Sequence, residues 1–183
     1  MRFSRKRHGG IEAKLDRIEA GVLTSLVGDL LALLGDDDQA EQDPLAALVG
    51  MPNGPVERPS DPALARLLPD AYGDDDEEAA AEFRRYTEAD LRAGKRESAT
   101  VVLATLAPLL DRGGKVLLDR EPQDAWLACL NDLRLVLGTR LEVTEDTEFD
   151  PGSDDPRQQA LHVYGWLGWL QESLLASLDP GAR

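Results

Sequence analysis

The sequence predicts a mainly α fold: a helical bundle of about four main helices with a short N-terminal β-hairpin. Three observations carry that expectation. Apolar residues recur every three or four positions in four separate stretches, which is the spacing that lines one face of an α-helix. Those stretches carry residues that start or stop helices. Near the N-terminus, two short segments flank His8-Gly9-Gly10, and glycine tolerates the positive φ angles of a tight hairpin turn.

Residues 2–6 and 11–15 are the expected strands of that hairpin. Asp16 then reads as a helix N-cap, with Glu19 three residues later in capping-box spacing. Ile18, Val22, Leu26, Leu30 and Leu33 supply the stripe that should face the core, and Gly35 ends the helix. Thr87 and Asp90 form another capping signature, ahead of a stripe of Ala99, Val102, Leu103, Leu106 and Leu110. Gly94 is expected to loosen the first half of that helix. Pro122 opens a third helix, in which Trp126, Leu130, Leu133 and Leu137 share a face and Gly138 stands where a C-terminal cap belongs. A last helix starts near Pro156 and runs through Leu161, Tyr164, Leu167, Leu170, Leu174 and Leu178.

Residues 36–82 read differently. They are rich in Asp, Glu, Pro and Gly, as expected of a largely flexible acidic insert. Two short helices, opened by Asp43-Pro44 and Asp61-Pro62, should float on it, because proline suits the first helical position. The expected organisation is one helical domain built from residues 1–35 and 83–178, the insert, and a tail at 179–183.

The formal net charge of −15 is unevenly spread. Residues 1–17 carry +4, 18–35 carry −2, 36–82 carry −12 and 83–183 carry −5, so everything outside the insert sums to only −3. The start is a basic island in a nearly neutral domain, and overall acidity is a poor guide to its partners. No run approaches the roughly 18 consecutive apolar residues of a membrane span, and the first residues lack the apolar stretch of a signal peptide. A cytoplasmic protein without membrane association is expected. The single cysteine, Cys129, excludes a disulfide within the chain and any multi-cysteine zinc site, leaving only a bond to another molecule.

The usual chemical devices are missing. Nucleophilic catalysis needs a base beside the nucleophile, and the two histidines, His8 in the turn and His162 in the last helix, sit in no catalytic motif. Asp146, Glu148, Asp150, Gly152 and Asp154 alternate as calcium ligands do, but Pro151 occupies the obligatory glycine position and Arg157 the bidentate glutamate position. The run from Asp74 to Glu78 reads as a solvated charge run. No glycine-rich phosphate loop follows a strand. Neither an enzymatic activity nor a cofactor or metal is expected.

Contact surfaces are the remaining candidates. Arg2, Arg5, Lys6 and Arg7 could bind phosphates of a nucleic acid; alternatively they protect an edge strand or pair with the acidic insert. Trp166 and Trp169 widen the apolar arc of the last helix, so that helix is either central in the bundle or offers its tryptophans to a partner. Gly165 and Gly168 would admit another helix closely, which makes a homodimer seam the main competitor to core burial. Cys129 lies one turn from Trp126 and Leu133, a position that favours a small buried hydrophobe over a redox sensor.

Phe83-Arg84-Arg85-Tyr86-Thr87, the segment from Trp126 to Gly138 (WLACLNDLRLVLG) and Tyr164-Gly165-Trp166-Leu167 resemble an actinobacterial family of unknown function that includes the oxidative-stress regulator AosR. The genes of that family often lie beside that of the Clp protease adaptor. The resemblance implies a non-enzymatic regulator whose partner is a protein, either a sigma factor or a Clp-related component. An internal thiol switch departs from this chain's single cysteine.

Overall fold

The N-terminal hairpin forms as the sequence predicts. β1 (Arg2–Arg5) runs antiparallel to β2 (Ile11–Leu15), with Phe3 opposite Ala13 and Arg5 opposite Ile11. The Lys6 N–H donates to the Gly10 carbonyl at 2.8 Å, and Gly9 takes a φ of 92° in the turn. A third strand, β3 (Gly114–Leu118), pairs antiparallel with the other side of β2. Its sequence, Gly-Lys-Val-Leu-Leu, is too short to announce a strand, and its partner lies far back in the chain.

This computed structural model describes residues 2–6, 9–35, 58–69, 77–150 and 152–178. Arg7, His8 and the Asp43-Pro44 helix expected from the sequence lie outside the described residues. Within them the fold is mainly α, with five α-helices and the three-stranded sheet ordered β1-β2-β3.

Gly113 lets the chain enter β3. Its φ is 68°, its N–H donates to the Leu109 carbonyl at 2.8 Å, and an added Cβ would sit 2.7 Å from the Leu15 carbonyl oxygen and 2.8 Å from Asp16 Cα. Both obstacles are backbone, so nothing nearby can rotate aside. Gly113→Ala is therefore expected to destabilise the fold by about 3 kcal/mol, combining left-handed strain with overpacking. A urea titration checks this; a loss below about 1 kcal/mol would mean that β2 and β3 separate easily.

α1 (Arg17–Leu34) opens on a complete capping box: Asp16 accepts from the Glu19 N–H at 2.9 Å, and Glu19 accepts from the Asp16 N–H at 2.8 Å. Its buried face is not the expected one. Ala20, Leu23, Val27, Leu30 and Leu34 are buried, whereas Ile18 is 77% exposed. Both stripes have helical spacing and share Leu30, so periodicity could not choose between them; packing against the rest of the core does. The last carbonyls of α1 have no basic residue of their own helix nearby. Instead Arg92 and Arg96, from α3 (Glu77–Leu106), donate to the carbonyls of Leu34 and Gly35.

α2 (Pro62–Leu67) starts at Asp61, whose carboxylate accepts from the N–H groups of Ala63 and Leu64 at 2.8 and 3.2 Å. The helix does not float. Ala63, Leu67 and Leu68 are buried, the helix packs on α4 (Arg120–Arg140), and Asp61 pairs with Arg140 at 2.5 Å. Two buried apolar side chains on so short a helix, with Leu68 at its C-cap, suffice to dock it.

α3 corrects a third expectation, because it runs unbroken through Thr87 and Gly94. Thr87 donates its hydroxyl to the Phe83 carbonyl at 2.8 Å, one turn back, and so does not cap. Gly138 likewise sits inside α4 rather than at its C-cap, and a Cβ there would meet the Tyr164 ring at 3.1 Å. α4 starts two residues before Pro122 and ends at Arg140, capped by Leu141, with Glu142 at a φ of 51°. α5 (Pro156–Leu178) begins where proline predicts, and buries Leu161, Leu167, Leu170 and Leu174.

The core lies between the inner face of the sheet and the four long helices. Phe3, Ile11, Ala13, Leu15 and Leu118 meet Leu23 and Leu30 of α1, Val102 and Leu106 of α3, Trp126 and Leu130 of α4, and Leu167 and Leu170 of α5. Trp126 is fully buried; its indole N–H donates to Thr105 Oγ1 at 2.9 Å, and the Phe3 ring stands edge-on to it, 84° inclined, at 6.0 Å.

Candidate functional site

The pleat of the sheet separates its side chains. Phe3, Ala13 and the other apolar residues point inward, so Arg2, Ser4, Glu12, Lys14 and Lys115 share the outer face. Arg2 pairs in register with Lys14, and Lys14 with Lys115, which lays three cations in a row across three strands. Glu12 bridges two of the cations on this face, at 3.0 Å to Lys6 and 3.1 Å to Lys115. Those two ammonium groups hold its carboxyl below the usual carboxylate range. Among the basic residues singled out in the sequence, Arg2 and Lys6 belong to this face. Arg5 falls on the Phe3 side by alternation, at the exposed end of the strand. Lys14 and Lys115 were missed; the alternation within β2 could have shown Lys14, but Lys115 depends on β3.

The two tryptophans of α5 part company. Trp166 packs partly buried against the core, whereas Trp169 is 48% exposed. Phe149 and Leu175 are similarly exposed, and Phe149 lies against Gly165, 3.7 Å from where a Cβ would stand. Gly168 faces the guanidinium of Arg134. Arg134 also bonds Gln171 at 2.6 Å and lies 5.6 Å from the centre of the Tyr164 ring, joining α4 to α5. The two glycines therefore already receive a phenyl ring and a guanidinium from this same chain.

Cys129 is buried, 1% exposed, among the apolar residues of α4. Desolvation, reinforced by the nearby Asp132 carboxylate, pushes its thiol up to about 12. A thiol held so far above neutrality is almost never a thiolate, so it is a poor nucleophile and a poor oxidant target. Asp132 is itself buried and binds Lys95 of α3 at 2.6 Å. Burial raises its carboxyl above the usual value despite that ammonium.

His162 lies partly buried on α5, its Nε2 without a hydrogen-bond partner among the described residues. Among the described residues, no three of His, Cys, Asp and Glu gather closely enough to hold a metal ion. Nor is any helix among them long and apolar enough to cross a membrane. An open groove between α3 and α4 carries Glu97, Val101, Arg120, Glu121, Asp124 and Ala125 on its walls.

Comparison with known proteins gives the chain its relatives. It is 37% identical over 174 residues to the oxidative stress regulator AosR of Mycobacterium tuberculosis (strain H37Rv), an alignment covering 87% of this chain and 78% of the relative. The AosR of Mycobacterium bovis matches at the same level. The putative oxidative stress regulator AosR of Mycobacterium leprae is 34% identical over 173 residues, with the same two coverages. No solved structure matches. Residues 1–178 match the family model described as a domain of unknown function, DUF2017, and the chain belongs to that family.

Proposed function

We propose that this protein is a non-enzymatic regulator of an oxidative-stress response that works by binding another protein, in the first instance a sigma factor. The observation that carries the reading is the 37% identity to proteins named as oxidative stress regulators, over most of both chains. The geometry supports a binding role. The features that stand out are surfaces, namely the cation row of the sheet and the exposed Trp169 with Phe149. The oxidant signal must reach the protein by a route other than its own thiol, because Cys129 is buried and held protonated.

Deleting the gene in its host and profiling transcripts after a peroxide pulse tests the role. A regulator leaves a set of oxidant-responsive transcripts mis-induced, reversed when the gene is returned. Unchanged induction across the whole profile would refute the proposal.

A further inference from the structure

We infer that the outer face of the three-stranded sheet is a docking surface for an acidic peptide segment of a protein partner, with Arg2 and Lys14 receiving carboxylates and Leu117 receiving an adjacent apolar side chain. The inference rests on the protein-binding reading above and gives that reading a surface and a ligand chemistry.

The argument begins with register. Like charges directly opposite on neighbouring strands repel, and this sheet sets Arg2 against Lys14 and Lys14 against Lys115. Glu12 relieves part of the repulsion by bridging Lys6 and Lys115, but it forms no ion pair with Arg2 or Lys14. The face thus presents four cations to one carboxylate, and Arg2 and Lys14 make no ion pair among the described residues. A shallow depression of about 230 Å³, lined by Arg2, Ser4, Glu12, Lys14 and Lys115, lies in their midst. Leu117, on the same face beside Glu12, is 55% exposed, an apolar neighbour for a ligand that is not charge alone.

Two features favour an acidic peptide over a nucleic acid. Glu12 stands in the middle of the face and would repel a continuous line of phosphates, whereas spaced carboxylates can pass on either side of it. Single-stranded nucleic acid also needs exposed aromatic rings on which bases stack; the aromatic residue of this sheet, Phe3, is turned inward against Trp126. Arginine with lysine on a rigid sheet suits carboxylates, since guanidinium binds them through two parallel hydrogen bonds.

The test is fluorescence anisotropy on the full chain with two labelled probes: a short glutamate-rich peptide containing one leucine, and a thymidine oligonucleotide of equal charge. Wild type should bind the peptide, more weakly as salt rises, and more tightly than the oligonucleotide. The double variant Arg2→Gln/Lys14→Gln should lose about tenfold in peptide affinity, because two exposed charge contacts go, while Arg2→Lys/Lys14→Arg keeps it. Circular dichroism confirms that each variant is folded. Equal peptide binding by wild type and the glutamine variant, no peptide binding by wild type, or tighter binding of the oligonucleotide each overturns the inference. The deletion profile fails independently: it sinks the regulatory role without reference to this surface, whereas the anisotropy reads the surface without reference to the role.

Discussion

Trp126→Ala is expected to lower the unfolding free energy by about 4 kcal/mol, enough to leave much of a typical small domain unfolded at moderate urea. Trp126 touches three layers at once. Its ring faces Phe3 of β1 edge-on, its indole N–H reaches Thr105 of α3, and its own helix, α4, packs against α1, α2, α3 and α5. Truncation would leave a cavity at the centre of this arrangement, and the sheet would lose its anchor on the helices. Trp126→Phe should cost less, about 2 kcal/mol, because it keeps most of the apolar volume and loses the hydrogen bond. Thr105 still donates to the Val102 carbonyl at 2.8 Å, so its hydroxyl is not orphaned. Urea unfolding followed by circular dichroism gives both values. An alanine cost below about 2 kcal/mol would mean that the sheet and the helices are held together elsewhere.

Lys95→Met is expected to cost about 3 kcal/mol at neutral pH, because it strips the cation from a buried carboxylate. Asp132 is 3% exposed and its carboxyl is already raised by burial. A carboxyl raised in the folded state is an unfavourable charge at neutral pH, and its penalty fades as the pH falls through the folded value. Without Lys95 the folded value rises further. The deficit of the variant relative to wild type should therefore narrow from neutral toward mildly acidic pH. Glu12 and Asp61 behave oppositely: Lys6 with Lys115, and Arg140, lower their carboxyls, so the stability they add is present at neutral pH and lost as the pH falls through their folded values. Both proteins share those losses, which cancel in the comparison. Lys95→Met/Asp132→Leu should recover most of the stability, since an apolar pair can replace a buried ion pair. A deficit that does not change with pH, or a double variant no better than the single, would contradict this account of the pair.

Much of this fold was legible in the residues because its signals are local. The Asp16 and Glu19 box, the proline at the start of α5, and the glycine turn after β1 each act within a few residues of themselves. What escaped was non-local. β3 exists because β2 offers it a partner from the other end of the domain, α2 is docked by α4, and the face of α1 was decided by what packs on it. The candidate site shows the same division. Arg2 and Lys6 were visible as a basic start, whereas the row that gives Arg2 its meaning needs Lys14 and Lys115 in register. The spacing of Trp166 and Trp169 makes them a pair, but only Trp166 packs, partly buried, against the core, while Trp169 stays exposed.

The central claim is a stress-linked regulator that does not sense oxidant through its own thiol. The most direct measurement is peroxide-induced transcription in the deletion strain complemented with wild type or with Cys129→Ala, at matched protein levels. The account predicts that the two complement equally, since the thiol is buried among apolar side chains and held protonated. Restoration by wild type and none by Cys129→Ala would contradict it and place the sensor at Cys129.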